Sequence, residues 1–490
     1  MIGTLIEKEL KYILMGPKFA VTFLICAVLI LLSLFIGVQD YKASMRRYEA
    51  AVALNDQHLA EKTSWNHLST RAFRRPEAMQ VFAVGVANDL GRFSGVDART
   101  PVRLDHSVYA DDPLFAVFRF LDLGFIFQVV LSLFAVLFTY NAINGEREMG
   151  TLKLTLANDI PRTQFVLAKF AGSWLALVIP LLIPLLLGLL MVLGLGVSLA
   201  GVHWAKLTAF FGVSLLYLTF FVALGVLVSG LTRHASASFL ILLVIWVSTV
   251  LVAPRVGMML AAKIHPAPSV AEVDGQIDAY NKERWDTYMA ELETMWQRRS
   301  AVLEGLDDEA RQAYRDDHEW EWMEEGDNAR KAVEADQQAF AQKMQDALQQ
   351  QKRRQEGLAL SLSRFSPASV YLHAAMNLAG THAGMKHRYE TAIRAYQQAF
   401  LAHADEMKKQ SGLNSHNGFS ISVSSDGGVQ MSMGEESQTI DVSTMPRFLD
   451  PVPSFSTVFS QSTMDMLLLL AFTAAALIGA YAVFMRYDVR

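Results

Sequence analysis

Residues 144–166 read NGEREMGTLKLTLANDIPRTQFV. The stretch carries charges of both signs, a Gly150-Thr151 pair and a Pro161-Arg162 pair, and it lies between two long apolar runs. If those runs cross a membrane, the stretch is a short charged turn between two crossings, and the fold follows. Composition supports crossings: 52% of the 490 residues are hydrophobic and 19% charged, with a mean hydropathy of +0.24. A soluble domain has about 25% charged residues. A spanning helix needs ~20 mainly apolar residues, because lipid offers its backbone polar groups no partners.

Six segments meet that requirement, at 19–38, 114–142, 165–199, 207–231, 236–254 and 464–485. The first is long, lacks a small-residue cleavage site and is followed by Gln39-Asp40-Tyr41, so it is not a signal peptide. Pro180 and Pro184 fall inside the third and predict a kink there. Positive residues near the ends set the orientation. Lys8, Lys11 and Lys18 precede the first crossing; Arg147, Lys153, Arg162 and Lys169 belong to the opening stretch and its exit; Arg233 lies between the fourth and fifth crossings; Arg486 and Arg490 follow the sixth. All fall on one side if both termini are cytoplasmic, while the opposite loop at 196–205 has no Lys or Arg. The fold class is therefore all-α and polytopic, with six transmembrane helices in a cytoplasmic membrane.

The same topology puts 39–113 and 255–463 outside the cytoplasm. In the larger piece Trp285, Met289, Leu292 and Trp296 recur at the spacing of one helix face, which predicts a helix pair burying that stripe. The segment from Arg364 to Thr381 reads as a turn and a helix, and 387–409 as another helix. Residues 418–435 alternate apolar and polar on both sides of Asp426-Gly427-Gly428, a hairpin signal with Phe419, Ile421, Val423, Val429, Met431 and Met433 on one face. The domain before the last crossing is thus expected to be mainly helical.

With its location fixed, the opening stretch can be compared. Glu146, Arg147, Glu148, Gly150, Thr151 and Leu152, followed by Pro161 and Arg162, resemble the pattern of ABC type-2 permeases, the membrane subunits of ABC transporters. Asn144 stands where that family often has Ser or Asp, and Pro161 is slightly shifted. Asp111-Asp112-Pro113 and Arg364-Phe365-Ser366-Pro367-Ala368 resemble a subgroup linked to maturation of multicopper enzymes, whose best-known member serves nitrous oxide reductase. The resemblance implies the type-2 exporter permease fold and makes residues 143–164 a coupling helix that docks in a cleft of a separate P-loop ATPase. It implies residues 1–18 as an amphipathic helix on the cytoplasmic membrane surface. It further implies a second permease subunit, identical or related, with the first and fifth helices lining the dimer face. Small residues on the sixth, such as Ala471, Ala476, Gly479 and Ala480, would then pack within one subunit.

The residues agree with that role. Acidic side chains at the start of a short helix suit its dipole and offer charge-assisted hydrogen bonds. Gly150 allows a sharp bend, and Leu152, Leu154 and Leu156 supply apolar anchors.

Other functions are excluded or unsupported. A net charge of −5 does not favour nucleic acid. Cys26 is the single cysteine, so there is no disulfide framework or cysteine metal cluster. No G-x-x-x-x-G-K-[ST] occurs, so ATP and its magnesium belong to the partner and the chain is not itself an enzyme. The run beginning at His318 lacks the second His of a zinc protease motif. Met431, Met433 and His416 could hold soft copper, but shared strand facing already accounts for the two methionines. An intramembrane enzyme would need buried ionisable groups at mid-helix, whereas Arg119, Asp122 and Asp465 fall near the outer interface. Two readings stay open: a permease that exports or releases a cargo, and an ATPase-coupled anchor whose outer domain transmits force or recruits a maturation or secretion partner.

Overall fold

The computed structural model describes residues 2–62, 68–97, 102–107, 121–157, 160–410, 419–423, 429–433 and 441–486. The chain folds as two compact units, Met1–Pro254 with Arg364–Arg490, and Arg255–Ser363.

In the first unit, α1 (Ile2–Leu14) ends at Gly16, and Pro17 opens α2 (Pro17–Ala60). Pro fits there because the first turn needs no N–H donor. The apolar run ends at Val38, yet the helix continues to Ala60, since residues 39–60 contain neither Gly nor Pro. At 1.5 Å per residue its 44 residues span roughly 66 Å, about twice the hydrocarbon thickness. Two short antiparallel strands follow, β1 (Thr70–Phe73) and β2 (Phe93–Val96), with Thr70 opposite Val96 and Phe73 opposite Phe93. Four-residue strands are too short to carry a periodic signal, and they were not expected from the sequence.

The remaining membrane helices are α3 (Leu123–Glu148), α5 (Arg162–Gly194), α6 (Gly201–Leu231), α7 (Ala235–Ile264) and α12 (Phe455–Met485), with the short α4 (Thr151–Ala157) between α3 and α5. With α2 they make six helices long and apolar enough to span. Residues 114–120 of the expected second crossing lie outside the described residues. Asp122 caps α3, accepting from the backbone N–H of Phe125 at 2.7 Å and of Val84 at 2.8 Å. Pro180 and Pro184 sit inside α5, which continues through both.

The core of this unit forms around α6, whose Phe210, Tyr217 and Phe221 are fully buried against Phe127 of α3 and Leu181 of α5. A seventh apolar helix joins it: α10 (Pro367–Ala379) starts at the cap Ser366 and ends at Gly380, whose φ of 74° suits glycine. Its Val370, Tyr371, Ala374 and Leu378 are all buried. Tyr371 stacks on Tyr217 at 4.5 Å between ring centres, and its hydroxyl lies 3.1 Å from Ser214 Oγ. Residues 255–463 were expected as one piece. The compact unit within them ends at Ser363, and the chain beyond returns to the bundle because α10 is apolar on nearly every side.

Two widened π turns hold α10. In α3, Ile126–Leu131 is π-helical, and Gln128 donates its side-chain N–H to Ala368 O at 3.3 Å while Gln128 O accepts from Tyr217. In α7, Val247–Val252 is π-helical, and Thr249 O accepts from Ser366 Oγ. A π turn shifts the hydrogen-bond ladder and offers carbonyls to outside donors.

A second core joins β1 and β2 to α11 (Gly384–Gln410), through Ala72 and Val96 packed with Tyr389, Ile393 and Phe400. The expected hairpin is present as β3 (Phe419–Val423) and β4 (Val429–Met433), antiparallel, with Phe419 opposite Met433 and Ile421 opposite Met431. Its turn at Asp426-Gly427-Gly428 and His416 lie outside the described residues.

The second unit is an antiparallel pair of α8 (Val270–Leu303) and α9 (Asp308–Ser363). Ser269 caps α8 by accepting from Glu272 N. Val273, Ile277 and Leu348 form its small core, with Tyr280 stacked on Phe340. The helix pair is as the spacing predicts, but its buried face is not. Trp285, Met289 and Trp296 are 45%, 51% and 64% exposed. The seam instead follows Val273, Ile277, Tyr280, Arg284 and Tyr288, with Arg284 paired to Asp336 and Arg299 to Glu325. Charges on that seam mask its periodicity in the sequence.

Candidate functional site

The turn between α3 and α5 is built from two helical pieces. The last turn of α3, Asn144–Glu148, is locked from one side by α6 and the α6–α7 turn. Ser229 Oγ accepts from the backbone N–H of Ile143 at 2.9 Å, and the Asn144 side chain donates to Thr232 Oγ1 at 2.9 Å. Asn144 is completely buried, and this is its job: an amide reaches two partners where a hydroxyl would reach one. Glu148 accepts from the N–H of Ala235 at 3.0 Å, so its charge lies at the N-terminus of α7.

From the other side the turn is held by ions. Lys169 on α5 is buried and donates both to Glu9 of α1 and, at 2.7 Å, to Glu146. Lys8 reaches the same Glu146 oxygen at 3.0 Å. Three elements therefore meet at one ammonium group. α1 can approach because Gly172 of α5 has no side chain; a Cβ there would meet the Glu9 side chain. A cavity of about 400 Å³ opens beside this network, lined by Lys8, Tyr12, Phe138, Asn141, Glu146 and Met149 among others.

Beyond Glu148 the chain turns outward. Gly150 takes a φ of 73°, the left-handed conformation that favours glycine, with open space around it. Thr151 donates to Glu146 O at 3.2 Å and Leu152 is buried with Ile143, Phe165, Val226 and Phe484, so α4 is pinned along one side. Met149 and Leu154 remain 60% and 69% exposed. Pro161 is exposed and leads into α5, and Arg162 donates to Met485 O at 2.8 Å, tying the exit to the end of α12.

The eight residues named from the sequence thus divide by direction. Glu146 and Leu152 face inward, Thr151 and Arg162 are partly covered, and Glu148, Gly150 and Pro161 are exposed. Arg147 is half-buried. The side chain of Leu156 lies outside the described residues. Sequence reasoning missed Glu9 and Lys169 as a pair. The signal was available: Ile2, Leu5, Ile6, Glu9 and Ile13 share one face of α1, so Glu9 is the acid on an apolar face. Two other buried ions are also paired, Lys206 with Glu77 at 3.0 Å and Asp465 with Arg364 at 2.7 Å. Among the described residues, no group of three or more His, Cys, Asp and Glu could hold a metal ion.

Six long apolar helices, with a short helix set between the second and the third, make the chain a multi-pass membrane protein. The family model described as ABC-2 family transporter protein matches residues 4–489. No curated protein matches the chain. A match over nearly the whole length is decisive, and the chain belongs to the ABC-2 family of transporter proteins.

Proposed function

We propose that the chain is the permease subunit of an ATP-driven transporter, that a separate P-loop ATPase docks on the turn at 144–161, and that its closure drives export or release of a cargo. The observation that carries this reading is the pairing of an exposed apolar tip, Met149 and Leu154, with a buried ion network joining α1, α3 and α5. The tip gives a partner something to grip, and the network gives the grip a stiff connection to the membrane helices. The positive residues on this face support a reading in which it and both termini lie on the cytoplasmic side of a bacterial inner membrane. A second permease subunit, identical or related, completes the transporter.

The test is co-purification of the ATPase with an M149E/L154E chain. Both side chains are exposed, so the variant is expected to insert and fold normally while losing the ATPase. Full retention of the ATPase, with normal ATP turnover, contradicts the docking site.

A further inference from the structure

At the other end of α2 from α1 lies a cavity of about 890 Å³, between the polar extension of that helix and the β1–β2 hairpin. Its charge is one-sided. Arg47, Lys62, Arg71, Arg74 and Arg92 line it, against two carboxylates, Glu61 and Asp97. Glu61 already accepts from the Gln57 amide.

The cations come from different elements, and four of them lack an ion-pair partner among the described residues: Arg47 on α2, Lys62 just past its end, Arg71 on β1 and Arg74 just after it. Arg74 is the most telling. It is 9% exposed and spends its N–H groups on neutral acceptors, Gly91 O at 3.2 Å, Ala87 O at 2.7 Å and Met385 Sδ at 3.9 Å. Burial holds its pKa below the ordinary arginine value. Asp450 acts on this charge from beyond ion-pair distance, and a buried charge so weakly balanced is costly; here it is set in the wall of a large cavity. Arg71 lies over the ring of Phe93 at 5.1 Å, which fixes its position.

A second observation points the same way. The side-chain nitrogen of Asn88, in the same wall, is buried with no hydrogen bond, and the residue is only 5% exposed. Asp40 of α2 faces that amide without reaching full hydrogen-bond geometry. A buried amide donor with no completed hydrogen bond, beside guanidinium groups that make no ion pair among the described residues, fits an oxyanion, which accepts from both. The volume exceeds what a bare anion needs, and Tyr48 and Phe73 offer apolar wall for the rest of a ligand.

We propose that this cavity binds a multiply charged, phosphate-bearing molecule, with Lys62, Arg71 and Arg74 holding the phosphate groups and Asn88 donating to them. The phosphate can arrive on a soluble molecule or on a lipid headgroup. Ser44, at the lower edge, is six residues beyond Val38, about 9 Å along the helix from the end of the apolar run.

The experiment uses the full chain in neutral detergent, titrated calorimetrically with inorganic pyrophosphate at fixed ionic strength. Parallel titrations use nanodiscs of phosphatidylcholine alone or mixed with phosphatidylglycerol. Saturable binding at one site per chain is expected, and about tenfold or more weaker in K62A/R71A, which removes two charge-assisted contacts from the rim. R74M should lose binding too, but it also breaks three internal contacts, so K62A/R71A with an unchanged melting temperature is the deciding variant. Pyrophosphate binding unaffected by phosphatidylglycerol assigns the site to soluble phosphates. Binding kept in phosphatidylcholine discs and lost with phosphatidylglycerol assigns it to a lipid headgroup. Absence of saturable binding in detergent and in phosphatidylcholine discs, or equal binding by wild type and K62A/R71A, overturns the proposal.

Discussion

Lys169 shows how much depends on one buried charge. It lies between Glu9 and Glu146, both buried, and among the described residues the half-exposed Lys8 alone shares its load. In K169M the two carboxylates lose the cation between them, and breaking such a buried arrangement costs about 3–5 kcal/mol. The detergent-solubilised variant should therefore melt well below wild type, whereas M149E/L154E should melt with it; equal melting of all three contradicts the bracing role. Charge reversal at Glu146 belongs with K169M for the same reason, and is a poor probe of docking. The sequence made the acidic pattern at Glu146 and Glu148 legible. It did not reveal that one carboxylate turns inward to a lysine on α5 while the other serves the start of α7, because the pairing residues are distant along the chain. A second single-residue prediction concerns pH. Burial, with Arg388 adding to it, depresses the His382 pKa from 6.5 to about 4. Between those values the unfolded chain takes up a proton that the folded chain refuses, so stability falls as pH drops from about 6.5 toward 4. Wild type should lose melting temperature on acidification more steeply than H382Q across that window; parallel curves contradict it.

Among elements, α8 and α10 teach opposite lessons. In α8 the helix was legible and its facing was not. The aromatic stripe at Trp285, Met289 and Trp296 has the right spacing but points to solvent, because the seam with α9 uses Tyr280 and Arg284, whose polar ends meet Asp336 across it, and the buried Tyr288. Replacing Trp285 and Trp296 with Ala should change stability by no more than about 0.5 kcal/mol, as for exposed sites. Leu348→Ala should cost about 2–5 kcal/mol. Limited proteolysis of the full chain checks this: cleavage within Arg255–Ser363 should accelerate in the Leu348 variant only, and acceleration in the tryptophan variant instead returns the stripe to the core. In α10 the residues were read as a turn and a helix, but not as part of the bundle. Thirteen residues are too few to register as a crossing, and the π turns of α3 and α7 that bond its first turn leave no signal in the sequence.

For the whole molecule, the six spans were legible because apolar runs of that length have one solution in lipid, and the family match follows the same pattern. The extension of α2 and the strands beyond it were not, since polar helix and four-residue strands leave weak signals. Assembly is the next level. On α12, Ala476 and Ala480 are buried and Gly479 faces Leu227 of α6, so these small residues pack within the chain. On α7, Leu240, Val244 and Leu251 are exposed, and so are Leu24, Val28 and Leu32 on α2. Single cysteines at the α7 positions in a Cys26→Ser background should crosslink two copies on oxidation; crosslinking at Ala471, Ala474 and Ala475 of α12 instead would move the dimer face. Docking of an ATPase on the turn between α3 and α5 is open to direct test. Its most direct measurement places a photoreactive amino acid at Met149, at Leu154 and, as a control, at Arg71, in the chain co-expressed with its ATPase. ATPase adducts are expected from Met149 and Leu154 and none from Arg71. An intact complex that gives no adduct from either position of the turn contradicts it.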